Sequence, residues 1–252
     1  MSFEVAADAY DRFMGRHSRQ LAPGMADLAG VRRGMRVLDV GSGPGALTAQ
    51  LVARLGAAGV VAVDPSESFV AAVAARHPGV EVHRASAESL PFPDATFDAA
   101  IAQLVVHFMQ DPVAGLAEMR RVTRPGGTIV ACVWDHAGDR APVGPFWAAA
   151  RSVDPEAHDE GNLPGGRPGH LAGLFAEAGL RDIAETTLAA RSEYATFDDW
   201  WSPFGGGVGS SGAYVRRLEP QLRAAIREAC RERLGDGPIV VESVAWACRG
   251  TS

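Results

Sequence analysis

No lysine occurs among the 252 residues; all 24 positions of Lys or Arg type are arginine. That removes the Tyr/Lys catalytic pair on which a nicotinamide-dependent oxidoreductase would rely. Cysteine is scarce: Cys132, Cys230 and Cys248 are odd in number and far apart. They form neither a disulfide framework nor a zinc site, and they suit a reducing cytoplasm. No stretch approaches the roughly 18 uncharged apolar residues that a membrane helix needs. The first segment, MSFEVAADAYDRFMG, carries acidic residues and no apolar run, unlike a signal peptide. The net charge of −6 comes without a long basic run, which argues against nucleic acid as the main partner. None of the seven histidines stands at metal-ligand spacing, so no metal is expected.

What is present is an ordinary globular balance, 47% hydrophobic and 21% charged, enough for one large α/β domain with a real core. From Arg36 to Val133 short β-branched runs alternate with amphipathic stretches. Strands are expected at 36–40, 60–63, 80–84, 97–102 and 128–134. Helices are expected after the glycine turn at 41–45, after Ser66 as a cap, and after Asp111-Pro112, this last one stopping at Arg124-Pro125-Gly126-Gly127. Repeated β-α-β units predict a parallel sheet covered on both faces. Beyond Trp134 come a stretch rich in Gly, Pro, Asp and His, a helix near 168–178, a β-like run at 182–191, and an aromatic stretch ending in GGGVGSSG. A helix with Leu222, Ile226, Cys230 and Leu234 on one face follows, then a closing strand at 239–249.

The residues that carry chemistry begin at Val37-Leu38-Asp39-Val40-Gly41-Ser42-Gly43-Pro44-Gly45. A strand that runs into glycines lets a ligand approach the main chain where a Cβ would collide. The helix beginning near Gly45 offers amide N–H groups and a positive dipole end to an anionic group. Asp39 adds a fixed negative charge at the strand tip. Asp64, at the end of the second strand, stands where a carboxylate accepts from both hydroxyls of a ribose. This segment alone is ambiguous, since Gly41, Gly43 and Ala46 also satisfy the dinucleotide fingerprint.

The downstream segments decide between the two. The chain resembles the class I S-adenosylmethionine-dependent methyltransferases, in particular the small-molecule group related to ubiquinone/menaquinone methyltransferases. The resembling residues are Val37–Gly45, Val61–Ser66, Ala85–Asp94 with Phe97-Asp98, Gln103–His107 and Arg120–Gly127, covering roughly 30–135. Tyr10-Asp11-Arg12-Phe13 is similar to the N-terminal helix that such enzymes fold over the cofactor.

The resemblance implies a Rossmann-like, doubly wound, mostly parallel seven-stranded sheet whose last strand is antiparallel. A helical, aromatic cap would be inserted in the C-terminal half, at about 135–180 and 192–238. Residues 1–134 would form the N-terminal helices and cofactor core, and 135–252 the rest of the same domain. S-adenosylmethionine is the implied cofactor, S-adenosylhomocysteine its product, and a small molecule the acceptor; a nicotinamide-dependent oxidoreductase and a non-catalytic S-adenosylmethionine-binding protein are the alternatives. Gly41, Ser42 and Gly43 would line the methionine and ribose, with Gly45 opening the helix. Asp64 would hold the ribose hydroxyls, Pro65 and Ser66 flank the adenine, Ala87 and Glu88 sit beside its amino group, and Gln103 and Leu104 border the methionine end. Many members have Asp where Ser86 stands, so Glu88 or backbone groups take over that contact.

Methyl transfer from a sulfonium is an in-line displacement in which the protein chiefly aligns the nucleophile and excludes water. A base is needed only if the acceptor loses a proton. His107, soon after the fourth strand, is the candidate catalytic base, with Asp135-His136 the second; a cleft-lining histidine with a satisfied hydrogen bond is the alternative for His107. Tyr10, Phe13 and Trp134 could face the sulfonium by cation–π attraction. Arg12, Arg16 and Arg19 share a helical face, read as solvated, with contact of one of them to an anionic ligand group as the alternative. Aromatic residues between Phe146 and Tyr214 suggest an apolar or aromatic acceptor, and 197–214 is expected to act as a lid.

Overall fold

A computed structural model describes residues 10–157, 160–207 and 209–252. A wide helical turn, Asp11–Gly15, leads into α1 (Arg16–Leu28). Then follow β1 (Val37–Val40), α2 (Ala46–Leu55), β2 (Val60–Asp64), α3 (Glu67–Arg76), β3 (Glu81–Arg84) and β4 (Phe97–Gln103). Next are α4 (Pro112–Val122), β5 (Thr123–Trp134), α5 (Gly144–Val153), α6 (His170–Glu177) and β6 (Arg181–Tyr194). The chain ends with α7 (Phe197–Trp201), α8 (Gly209–Arg217), α9 (Pro220–Leu234) and β7 (Ile239–Thr251).

The strands form one seven-stranded sheet in the order β3-β2-β1-β4-β5-β7-β6. The first five run parallel, and β7 is antiparallel to both β5 and β6. The order reverses beside β1, between β1 and β4, and in such sheets ligands bind in the crevice at that switch point.

Side-chain alternation divides the core in two. On β5, Val130, Cys132 and Trp134 join the cluster that holds Leu21, Met25, Leu51 and Phe146. Ile129, Ala131 and Val133 of the same strand join Leu38, Phe97, Leu116 and Phe175 on the opposite face. Both sides of the strand are therefore buried, which is why its sequence reads as a continuous apolar run. Asp111 caps α4 by accepting from Ala114 N at 3.0 Å, with Pro112 at the first helical position.

Two boundaries differ from the sequence reading. Helix α4 ends at Val122, and the Arg-Pro-Gly-Gly segment joins β5 through a register shift against β4, with Gly126 at φ +75°. The β-like run extends to Tyr194, because β6 pairs with β7 along its length. The stretch 135–180 divides between the faces: α5 packs with α9, whereas α6 packs on α4, β6 and β7.

Candidate functional site

The crevice at the switch point is built by the turn after β1. Gly41 and Gly43 have φ of +67° and +53°, and a Cβ on Gly41 would lie 2.5 Å from Val105 Cγ2. Any other residue at 41 would be strained and would collide, so the glycine keeps the turn tight against the loop after β4. Asp64, at the tip of β2, accepts from Gly43 N at 2.9 Å and from Ser66 N at 2.8 Å. One carboxylate thus ties the glycine turn to the start of α3. Burial raises its pKa, and the two backbone donors pull it back. Asp39 accepts from Thr48 Oγ1 at 2.6 Å, and its own burial pushes its carboxyl up to about 7, the Thr48 bond opposing and Asp64 adding to the rise.

The void there measures about 720 Å³, counting its open mouth. Tyr10, Asp39, Gly41, Ser42, Gly43, Asp64, Pro65, Gln103 and Leu104 all line it. Desolvation pushes the Tyr10 phenol up to about 12, with Asp64 and Asp11 adding to it. Gln103 donates from Nε2 to Ser18 O at 3.0 Å, and its buried Oε1 has no partner among the described residues. Phe69, Val105 and Phe108 line the crevice too, and the sequence reading gave none of them a role there.

Four expected cofactor residues do not line this void. Gly45 precedes α2, its Cα facing His77 and Val73. Ser66 stands before α3 with its hydroxyl 2.9 Å from Ser68 Oγ. Ala87 is packed into the apolar core with Leu90 and Phe92. Glu88 accepts from Gln110 N at 2.8 Å, fastening the loop before α4.

A second void, about 670 Å³ with its mouth, adjoins the first and shares Tyr10, Leu104 and Phe108 with it. Its remaining walls include Phe13, Met14, Trp134, Val143 and Leu163, with His107, His136, Glu160 and Ser210 as its polar groups. His107 is 8% exposed, and burial, reinforced by neighbouring His136, lowers its pKa well below the ordinary value. Its Nδ1 has no partner among the described residues. His136 Nδ1 lies 3.1 Å from Glu160 Oε2, and Ser210 Oγ donates to Glu160 Oε1. Asp135, by contrast, is turned away: it accepts from Gly138 N at 3.1 Å and pairs with Arg140 Nε at 2.5 Å, closing the turn after β5.

A family model described as "Methyltransferase domain" matches residues 38–131. A demethylmenaquinone methyltransferase of Beutenbergia cavernae is 35% identical over 180 residues, 64% of this chain and 72% of the relative. The chain belongs to the class I S-adenosylmethionine-dependent methyltransferases, of the ubiquinone/menaquinone-methyltransferase-like type. A ubiquinone/menaquinone biosynthesis C-methyltransferase of Idiomarina loihiensis is 40% identical over 111 residues, covering 41% of this chain and 44% of that one. Among solved structures, one titled as a putative methyltransferase from an antibiotic biosynthesis pathway of Anabaena variabilis superposes with a TM-score of 0.64. It covers 94% of this methyltransferase and all of its own chain at 19% identity, a likeness of fold. The nicotinamide reading of the glycine turn is thereby set aside.

The aromatic stretch of the methyltransferase sits differently from what its composition suggests. Trp200 and Phe204 are each 2% exposed, and Phe204 stacks on Phe146 with centroids 4.8 Å apart. Trp200 and Trp201 line neither of the two voids; the segment expected to act as a lid meets the second one through Gly209, Ser210 and Ser211. The tryptophans fill core, and the small residues face the cavity. Of the three arginines, Arg16 lies over the Tyr194 ring at 4.5 Å and Arg19 is 3.6 Å from Asp11, while the Arg12 side chain falls outside the described residues. Glu160 went unread because it sits in an aperiodic loop, with nothing local to mark it. Among the described residues no metal-binding group of His, Cys, Asp or Glu is present, and no helix is long and apolar enough to cross a membrane.

Proposed function

We propose that this methyltransferase moves the methyl group of S-adenosylmethionine to a small, largely apolar or aromatic acceptor, with the cofactor in the glycine crevice and the acceptor in the adjoining cavity. The observation that carries this reading is the sharing of Tyr10, Leu104 and Phe108 by two adjoining voids with different polar groups. The first holds the glycine turn with Asp39 and Asp64, the second two imidazoles, Glu160 and Ser210 among apolar walls. A displacement needs donor and acceptor in line across such a boundary, with water kept out.

In this reading Asp64 accepts from the ribose hydroxyls, and Pro65 and Phe69 bound the adenine. Gly41, Ser42 and Gly43 follow the ribose and methionine, while Asp39 and the free Oε1 of Gln103 receive the cationic amino group. The unpartnered Gln103 oxygen fits such a donor well, because a buried acceptor left unpaired costs roughly 1–3 kcal/mol. Tyr10 and Phe108 offer ring faces to the sulfonium. S-adenosylmethionine supplies an activated methyl group, and the chain's own residues bind, orient and shield it. His107, held neutral, serves as a hydrogen-bonding contact to the acceptor. Residues 10–134 carry the cofactor crevice and part of the acceptor cavity, whose remaining walls come from His136, Val143, Glu160, Leu163 and the start of α8. Three unpaired, buried cysteines suit a reducing cytoplasm.

The demethylmenaquinone methyltransferase relative makes an aromatic quinone-type ring one acceptor to assay. Calorimetric titration with S-adenosylhomocysteine and with NADH, followed by a methyl-transfer assay against apolar hydroxylated arenes, tests the reading. Binding of the former alone, with label appearing in an arene, is expected; tight NADH binding with no response to the homocysteine would refute it.

A further inference from the structure

We infer that His136, oriented by Glu160, is the base that removes a proton from an acidic hydroxyl of the acceptor, so that the enzyme methylates phenol- or enol-type oxygens. The inference rests on the assignment of the second void to the acceptor.

The pair stands at the mouth of the turn after β5, where Trp134 ends the strand and the loop before α6 returns. His136 Nδ1 faces Glu160 Oε2 at 3.1 Å, and both side chains are less than a tenth exposed. A carboxylate on Nδ1 places the proton there and leaves Nε2 with its lone pair, the tautomer that a base needs. That Nε2 is buried and has no partner among the described residues, although the ring borders the cavity. A histidine retained only to tie the loop down would need its Nδ1 contact alone. Leaving its second nitrogen buried and unpaired beside the cavity costs free energy unless a ligand atom meets it.

Glu160 is itself secured by the Ser210 hydroxyl from α8. This matters because an unsupported buried carboxylate would take up a proton rather than face an imidazolium. Among the described residues, the other ionisable groups lining the cavity are Tyr10 and His107, the His107 ring centroid being 5.4 Å from that of His136. Burial keeps His107 neutral, so it does not compete for the proton. In the reaction the acceptor O–H bond breaks, its proton goes to His136 Nε2, and the electron pair stays on oxygen. That oxygen forms the new bond to the methyl carbon while the S–CH3 pair returns to sulfur. The products are a methyl ether, neutral S-adenosylhomocysteine and an imidazolium beside Glu160.

The test compares 1-naphthol with 4-nitro-1-naphthol, which share a ring system but differ in hydroxyl acidity. With the weakly acidic naphthol, His136→Asn should lower kcat by roughly 10²–10⁴-fold and Glu160→Gln by about 10–100-fold. Glu160→Gln keeps the shape of the side chain and removes its charge, one acceptor oxygen being exchanged for an amide donor. With the nitro compound, already ionised at neutral pH, both losses should shrink to a few-fold. Equal losses on the two acceptors would mean a structural role and overturn the inference. So would intact S-adenosylhomocysteine binding with no methyl transfer to either naphthol. Loss of cofactor binding in the unaltered enzyme would instead overturn the function proposed above.

Discussion

Removing the Asp64 carboxylate tests the cofactor crevice most directly. In the free protein it accepts from Gly43 N and Ser66 N at 2.9 and 2.8 Å. Hydrogen bonds to a charged acceptor contribute about 1.5–3 kcal/mol each. Asp64→Ala loses two of these, but burial already disfavours the charged form, and deleting it relieves that desolvation. The net loss of stability should therefore fall below the gross sum, at about 1–2 kcal/mol. For a protein of this length that lowers Tm by a few degrees, at about 2–4 °C per kcal/mol. The cofactor loses a further charged acceptor for its ribose, about 1.5–3 kcal/mol, or roughly a 10- to 150-fold weaker Kd. Calorimetric titration with S-adenosylhomocysteine at a temperature well below both melting points separates the two effects. Asp64→Asn, which keeps one oxygen for the Gly43 or Ser66 donor, should recover most of the Tm and little of the affinity. A folded Asp64→Ala protein whose Kd stays within twofold would refute the ribose assignment, whatever its Tm.

Gly41→Ala should destabilise the fold by about 1–3 kcal/mol and weaken cofactor binding at least tenfold. The added Cβ meets Val105 at 2.5 Å with φ at +67°; an unchanged melting curve would show that the turn has room to relax. Asp39 has a carboxyl raised by burial to about 7, above its unfolded value, so the apo enzyme is partly protonated there at neutrality. A bound cationic amino group favours the charged form. S-adenosylmethionine binding should therefore release a proton near pH 7 and tighten as pH rises from about 6 to 8; calorimetry in buffers of different ionisation enthalpy measures this, and zero release excludes the contact. Phe146→Ala, at a fully buried ring stacked on Phe204, should cost about 3–5 kcal/mol in chemical denaturation with little change in cofactor Kd. A large rise in Kd without loss of stability would place that ring in the binding site instead of the core.

The alternation of β-branched runs with amphipathic stretches determined the sheet and its helices, because side-chain period is local information. The glycine turn after β1 and the carboxylate at the tip of β2 were legible for the same reason: each follows directly from where a strand ends. The pairing of His136 with Glu160, 24 positions apart, was not, since it depends on how the loop before α6 and the start of α8 close over the end of β5. Ala87 and Glu88 lie in a matching motif, yet Ala87 sits in the apolar core and Glu88 accepts from Gln110 N, neighbours that the motif does not announce. Composition likewise announced an aromatic cluster without telling its core-facing rings from cavity-facing ones. Trp200 and Phe204 went inward, and Gly209 to Ser211 were left to face the void, because large apolar surface is buried wherever neighbouring elements leave room for it.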